Sequence, residues 1–432
     1  MRIASVFLIA AVALGSGCAT AKPKWKPTSA ETFSKPVGLQ EAVTLAESQD
    51  LRVEEWSARN AIAKAAVRQA WTPPNPTLTL GWEDVGLKDA AGKSQTAPSV
   101  GVSYPILFWI TRPWEISAAR HRRQAAEQTI LAEKRDLAAE VGTSWYEIAA
   151  LMRKQRLAEE AVSTSEQDLR FVQRSRELGS ASALDVERAE AELLKVEATL
   201  ADVSSALRTS QLSFAFALGA DRPAYPVVEE SVDWEAAAPN EAKLPAAESS
   251  PEVVAAREEA IAAGNDLSVE FARIVPLSDT QAGVSRKNGP DGMSTAYSAD
   301  VPIPLFDWNQ AGIARARAGR ILAEIAAERA RRDATLRSAT AWDQWTTARA
   351  KYLQTTIPLQ EKSSHLGTAG ARLFAEGQID YSEFMQTRRD ATEASTAAVD
   401  AWQNARTAEW RLLCLASLTP EEATADDAHP AR

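Results

Sequence analysis

A long run with no proline and a single glycine is the feature that most constrains this 432-residue chain. From Trp114 to Leu178 there is no proline and only one glycine, Gly142. Because Pro and Gly are the residues that interrupt helices, we predict one helix over this run. At 1.5 Å per residue it would be nearly 100 Å long. A second helix should follow Gly179–Ser182, because leucines then recur every seven residues, as in a coiled coil: Leu193, Leu200 and Leu207.

The chain repeats itself once, with about 200 residues per copy. Identical residues recur at an offset of 197, in the pairs Pro105 and Pro302, Ile106 and Ile303, Ile116 and Ile313, Ala119 and Ala316, Arg120 and Arg317, Thr143 and Thr340, and Trp145 and Trp342. Gly179 and Gly377 match at an offset of 198. A collinear set of this kind indicates a tandem duplication. We therefore predict a first repeat over 39–219, a linker over 220–250, a second repeat over 251–418 and a disordered tail over 419–432.

Each repeat should insert one β-hairpin between helices. Polar and apolar residues alternate over Thr77–Glu83 and again over Ser99–Tyr104, which is the period of a half-buried strand. The first hairpin is therefore placed at about 77–104. In the second repeat the corresponding hairpin lies at about 278–303, with strands near 280–286 and 295–303 around the Asn288–Gly292 turn.

The bounds of the remaining helices follow from the positions of proline and glycine in the same way. One helix is expected from Leu39 to about Trp71, before the prolines that precede the first hairpin, and its counterpart runs from Pro251 to about Arg273. After the second hairpin we expect helix over about 314–376 and 381–418. Pro358 should kink or break the first of these two segments.

Composition excludes several classes of protein. With 45% hydrophobic and 25% charged residues the chain is unlike a polytopic helical membrane protein, which needs apolar runs of about 20 residues. A net charge of -10 does not favour nucleic-acid binding. No Ser-His-Asp arrangement, Gly-rich phosphate loop or Walker motif is present, so we expect neither an enzyme nor a cofactor. The two cysteines and three histidines are scattered, and we predict no metal site.

The first residues read as an export signal. Arg2 is followed by twelve apolar residues, Ile3–Leu14, which suit a signal peptide over 1–17. The next four residues, Gly15–Cys18, resemble a lipobox, although Gly15 stands where Leu is usual. We expect lipidation (palmitate) of Cys18 at the head of a tail over 18–38, and Ala19 after the cysteine implies outer-membrane sorting. Ordinary cleavage after Ala19–Ala21 is the alternative.

Four strands with open edges cannot lie in lipid, because unpaired backbone groups are costly there. Three chains with four strands each could close a twelve-stranded barrel. The duplicated order of helix, hairpin, long helix, Gly-broken turn and helix resembles the TolC family of outer-membrane efflux factors. This resemblance covers about Leu39 to Leu418 and implies a mainly α fold with a small β part. In that fold a homotrimer forms a transmembrane β-barrel that continues into a long α-barrel.

Local motifs add to the resemblance. The segment Leu178–Val186 is similar to the family's periplasmic tip, and its twin is Glu376–Phe384. The string Val301–Gln310 is similar to one in the CzcC/CusC-type heavy-metal efflux subgroup, except that Ala311 precedes the glycine. The resemblance implies adaptor-docking tips at Leu178, Gly179, Ser180, Glu376, Gly377 and Gln378. It also places the barrel-tunnel junction at Pro105, Pro302 and Pro304.

Acidic residues near the tips are candidates for a gate. Asp185 and Glu383 each lie six residues after a tip glycine, so a trimer would carry rings of three carboxylates. The resemblance assigns Glu383, more than Asp185, to the periplasmic gate; Gln386 stands where well-known members have a second Asp. Acids in a first helical turn also stabilise the helix dipole, which is our preferred interpretation of Asp185. Tryptophans near the strand ends suit either a membrane interface or a packed junction: Trp71, Trp82, Trp109, Trp114 and Trp308.

The resemblance implies a passive export duct of a tripartite efflux system. Its partners would be identical subunits, a periplasmic adaptor protein, an inner-membrane pump of the resistance-nodulation-division (RND) type and outer-membrane lipid. We expect divalent heavy-metal cations such as Co, Zn or Cd as cargo. Drug efflux and type I protein secretion are alternatives within the family. A structural periplasmic coiled-coil lipoprotein is the alternative from another class, but a rod has no use for hairpins.

Overall fold

In the computed structural model, the described residues are 28, 33, 35–83, 85–86, 92, 97–228, 246–274, 277–289 and 292–416. The predicted signal peptide, Cys18, most of the N-terminal tail, linker residues 229–245 and the C-terminal tail lie outside them. The helices are α1 (Leu39–Gln49), α2 (Leu51–Trp71), α3 (Arg112–Glu177), α4 (Ala183–Ala217), α5 (Pro251–Ala272), α6 (Gln310–Ala350), α7 (Ile357–Ala375) and α8 (Tyr381–Ala416). The strands are β1 (Thr77–Glu83), β2 (Ala97–Pro105), β3 (Gln281–Gly289) and β4 (Gly292–Asp300).

The two predicted hairpins combine into one antiparallel sheet with the order β1-β2-β3-β4. The sheet joins the repeats because β2 of the first hairpin pairs with β3 of the second, with Val102 opposite Val284. The second hairpin is tighter than expected. Strand β3 continues to Gly289 and pairs it with Gly292, so β4 already ends at Asp300, and 301–303 lies beyond the strand.

Helix α3 is the axis of the molecule. It has 66 residues, as the proline-free run predicts, and is therefore about 100 Å long. It packs against α1, α2, α4, α5 and α8, while α6 packs against α5 and α8, and α7 packs against α8. The α3 helix of the first repeat thus contacts helices of both repeats.

A glycine is required at position 142 of α3, because Trp410 of α8 packs directly against it. A Cβ atom on Gly142 would lie 2.0 Å from Nε1 of Trp410, a residue of α8 that is 5% exposed. That Nε1 donates a hydrogen bond to the Ala138 carbonyl over 2.9 Å. The glycine therefore lets an indole ring lie directly against the α3 backbone, close to a core that also contains Trp145 and Phe214.

One helix is interrupted where the sequence predicted continuity, and another is interrupted next to Pro358, where a kink or break was expected. The helix expected over Leu39–Trp71 is split, because Asp50 is extended (φ -65°, ψ 142°) and its carboxylate accepts the backbone N–H of Arg52 at 2.7 Å. An aspartate that caps the next helix thus ends the previous one. In the second repeat a π-helical turn, Lys351–Thr356, precedes Pro358, which lies in the first turn of α7. The wider turn accommodates the missing proline N–H.

Candidate functional site

One face of the four-stranded sheet is apolar and exposed. Residues directly opposite each other on neighbouring strands point to the same face, and the pairing puts Leu80 opposite Val100 and Val284 opposite Tyr297. Eight large apolar side chains on this face are at least 44% exposed: Leu78, Leu80, Trp82, Val100, Val102, Val284, Met293 and Tyr297. Arg286 lies on the same face, opposite Val100. An exposed apolar surface of this kind needs an apolar surrounding or a partner.

The opposite face carries small polar side chains and is concave. A Cβ atom on Gly101 would lie 3.1 Å from the Cβ of Ser285, its partner across the β2-β3 pair. Opposite Cβ atoms in an ordinary sheet are about 4.5–5.5 Å apart, so the strands curve towards this face. The other residues of the face include Thr77, Thr79, Ser99, Ser103, Gly283, Lys287, Ser294 and Ser298.

Both outer strands of the sheet have an open edge. Among the described residues β1 pairs only with β2, and β4 pairs only with β3. All nine residues of β4 are exposed. An open edge presents unpaired N–H and C=O groups that can pair with another chain.

The predicted junction prolines lie at the base of this sheet. Pro105 is the last residue of β2, opposite Gln281, and Pro302 and Pro304 lie between β4 and α6. Proline suits these positions because it cannot donate to a strand ladder. The candidate tryptophans are all exposed in the protomer. Four lie at the base of the sheet, Trp71, Trp109, Trp114 and Trp308, whereas Trp82 lies at the far end of β1, opposite Pro98.

The two predicted tips have the same backbone geometry. Gly179 and Gly377 both have positive φ, +78° and +71°. In each tip the glycine N–H and the next N–H return to carbonyls of the helix; Ser180 donates to Ser175 at 2.9 Å, and Gln378 donates to Leu373 at 2.9 Å. This is the Schellman termination that Gly favours. The six predicted tip residues are exposed at the two turns: Leu178, Gly179, Ser180, Glu376, Gly377 and Gln378.

The candidate gate residues differ in their surroundings. Asp185 accepts the Ser182 N–H at 2.9 Å, and Ser182 Oγ accepts the Asp185 N–H at 3.1 Å, so the two form a capping box. The Ser182 hydroxyl also donates to Asp185 Oδ2 at 2.6 Å, and this bond, followed by the one from the Ser182 N–H, lowers the pKa of Asp185. Glu383 is exposed, and within the described part of the chain its carboxylate accepts no hydrogen bond. Gln386 is exposed and donates to Asp390 at 2.8 Å.

Sequence reasoning missed an ion pair that joins the two repeats near the tips. Arg389 of α8 contacts Glu192 of α4 at 2.6 Å, and the Glu192 side chain is only 10% exposed. Arg388 lies 3.7 Å from Asp168 of α3, and burial raises the pKa of that Asp. The two residues are not equivalent positions of the repeats: past the tip glycines the offset is 198, which pairs Glu192 with Asp390.

An apolar cluster lies beside these ion pairs. It contains Val172, Val186, Tyr381, Phe384 and Met385, so it is built from both repeats. Burial raises the pKa of Tyr381 to about 12. The cluster and the ion pairs therefore hold the two helical hairpins together just behind the tips.

Within the described residues, no group of three His, Cys, Asp or Glu side chains is arranged to hold a metal ion. His121 hydrogen-bonds Glu258 at 2.6 Å, and His365 is exposed. None of the described helices is both long enough and apolar enough to cross a membrane.

Together, the amphipathic four-stranded sheet, the duplicated 100 Å helices and the paired turns define the protomer fold of outer-membrane efflux channels. Residues 42–220 match the model of a family described as outer membrane efflux protein. This match spans nearly all of the first predicted repeat and agrees with the resemblance to the TolC family.

Relatives and solved structures agree with this family match. The chain is 23% identical over 363 residues to the cobalt-zinc-cadmium resistance protein CzcC of Cupriavidus metallidurans, covering 83% of this chain and 85% of that protein. It is 27% identical over 308 residues to the nickel-cobalt-cadmium resistance protein NccC of Alcaligenes xylosoxydans xylosoxydans, covering 71% and 67%. A crystal structure of CusC has the same fold, with a TM-score of 0.75 at 15% identity and coverage of 92% and 96%.

Proposed function

We propose that this chain is one protomer of a homotrimeric outer-membrane duct that passively exports divalent heavy-metal cations, with Co, Zn and Cd as the leading candidates. The duct would complete a tripartite system with a periplasmic adaptor and an RND-type inner-membrane pump. The pump supplies the energy, because the duct itself has no motif for nucleotide hydrolysis.

The sheet is the observation that carries this proposal. Its exposed face is lined mainly by Leu, Val, Trp and Tyr, with Arg286 as a charged exception, and this composition suits lipid. Its concave face is lined mainly by Ser, Thr and Gly, which suits a water-filled lumen. Its two open edges, β1 and β4, can be satisfied in lipid only by pairing with neighbouring copies. A structural rod without a channel would have no need for such a sheet.

The cargo is supported by the relatives. CzcC and NccC are named for resistance to cobalt, zinc, cadmium and nickel. The small hydroxyl side chains of the concave face bind no cation strongly, so the selection of cargo would lie with the pump.

Two neighbouring residues of β1 provide the test for the duct. Leu80 lies on the apolar face and Thr79 on the concave face. Purified protein should form trimers by native mass spectrometry and open channels in a planar bilayer. Leu80→Arg should reduce membrane insertion at least tenfold, because charge facing lipid is costly. The matched variant Thr79→Arg should insert normally and lower cation permeability. Equal insertion of both variants, or a wild-type protein without conductance, would contradict the duct.

The cargo and the anchor need separate experiments. Deleting the gene in its host should lower the tolerated concentrations of Co, Zn or Cd and leave drug tolerance unchanged. The reverse pattern would favour drug efflux instead. Labelling with radioactive palmitate should mark the wild-type protein and not Cys18→Ser; labelling of both would refute the proposed anchor.

A further inference from the structure

The turn between the second hairpin and α6 is tied to the helix that precedes the hairpin. Asn309 adopts left-handed backbone angles (φ 60°, ψ 28°). Its Nδ2 donates to the Glu270 carbonyl at 2.8 Å and to Glu270 Oε2 at 2.7 Å, so it joins the start of α6 to the end of α5. Gly312 makes room for this side chain, since a Cβ there would lie 2.1 Å from Asn309 Oδ1.

The first repeat has a contact of the same kind with different chemistry. The offset of 197 places Arg112 at the position of Asn309. Arg112 donates to the Ala70 carbonyl at 3.0 Å and to the Thr72 carbonyl at 3.1 Å, so it joins the start of α3 to the end of α2. In both repeats, one side chain at the head of the helix after the hairpin binds free carbonyls at the end of the helix before it.

Three further contacts connect the Arg112 contact of the first repeat with the Asn309 contact of the second. Arg112 lies 3.3 Å from Glu115, Glu115 lies 3.7 Å from Arg273, and Arg273 lies 3.0 Å from Glu270, which is the partner of Asn309. A continuous polar chain therefore runs from the end of α2 to the head of α6. Four of its side chains are 22–47% exposed: Arg112, Glu115, Arg273 and Glu270. We call these four residues, together with Asn309, the junction chain.

We propose that the junction chain positions the four helix ends directly beneath the sheet and so fixes the shape of the duct where barrel becomes tunnel. This inference rests on the proposed duct function. The segments between strand and helix, 106–111 and 301–309, are short, so a change in the relative position of the helix ends is transmitted to the base of the strands. An isolated exposed ion pair contributes little to stability, whereas several charges that share partners form a network and can contribute more.

A double-mutant cycle tests whether the chain acts as one unit. The first variant, Glu115→Gln, weakens the contacts with Arg112 and Arg273. The second, Asn309→Gly, removes the side chain at the α6 end and keeps the left-handed backbone. The protein, folded in detergent, is melted while helix content is followed by circular dichroism. Each variant should lower the melting temperature by about 2–4 °C. The double variant should fall by clearly less than the sum, because either change already breaks the chain. Arg320→Gln is the matched control, since it breaks an exposed pair with Glu324 within α6. It should leave the melting temperature within 1 °C of wild type.

A second readout separates positioning from simple stabilisation. In planar bilayers at temperatures far below melting, both single variants should show several conductance levels, while wild type and Arg320→Gln show one. Additive melting shifts together with a wild-type conductance distribution would overturn the proposal. A wild-type protein that melts cooperatively but never conducts would refute the proposed function, while the cycle would still decide whether the chain is coupled.

Discussion

Replacing Gly142 by alanine tests the packing of the long helices, because two effects of opposite sign meet at this residue. Alanine is the better residue in a helix interior, by about 1 kcal/mol. A Cβ at this position, however, would lie 2.0, 2.4 and 2.5 Å from atoms of the Trp410 ring. The indole would have to leave its place against α3.

The structural cost should exceed the gain. Overpacking a well-packed core costs about 1–3 kcal/mol. Moving the ring also breaks the hydrogen bond from Trp410 to the Ala138 carbonyl, a loss of about 1 kcal/mol. After subtracting the helix-propensity gain, Gly142→Ala should lower the free energy of unfolding by about 1–3 kcal/mol.

The assay compares this variant with a matched glycine. Gly319 lies in α6, and a Cβ added there would meet nothing within 4 Å. Gly319→Ala should therefore stabilise the protein by up to about 1 kcal/mol. Urea unfolding of the detergent-solubilised protein, followed by far-ultraviolet circular dichroism, measures both. If Gly142→Ala is as stable as Gly319→Ala, the close contact between α3 and Trp410 does not exist.

The remaining predictions concern the tips. Arg389→Gln should destabilise the protein more than Glu192→Gln in thermal melts, because it leaves a buried carboxylate without its partner; equal effects would contradict this. Ser182→Ala should cost about 1 kcal/mol as the loss of a cap. The pKa of Asp185 is lowered from 3.8, so the stability that this carboxylate contributes is present at neutral pH and is lost as the pH falls below about 4. The difference in melting temperature between pH 7 and pH 3 should therefore be smaller for Asp185→Asn than for wild type. Glu383→Ala should lower the ratio of cation to anion permeability in planar bilayers, and an unchanged ratio would remove Glu383 from the constriction.

The sequence predicts much of this fold because its signals are local. The absence of proline defines α3, polar-apolar alternation defines the strands, and Gly179 and Gly377 mark the tips. The duplication also transfers each assignment from one repeat to the other. These features depend on backbone preference and periodicity, which can be read without knowing the tertiary contacts.

The sequence was less informative where tertiary packing, or a residue that suits two kinds of structure, determined the bounds of a helix or strand. Asp50 has the sequence context of a helix interior, yet it serves as a cap. Pro358 predicts a disturbance, but the six-residue π-helical turn that absorbs it depends on how the whole helix must pack. The strand bounds of the second hairpin moved because its turn needs only residues 290 and 291 between β3 and β4.

The same distinction between local and tertiary signals applies to the candidate functional residues. The sequence predicts positions on a strand or a turn, such as the apolar Leu80, because these follow from register alone. It does not predict pairs between repeats, because the residues at equivalent positions need not be alike. Arg112 and Asn309 share no chemical type, yet they occupy equivalent positions at the offset of 197 and both bind carbonyls of the preceding helix. Duplication preserved the backbone, so this position kept its geometric role while its side chain diverged.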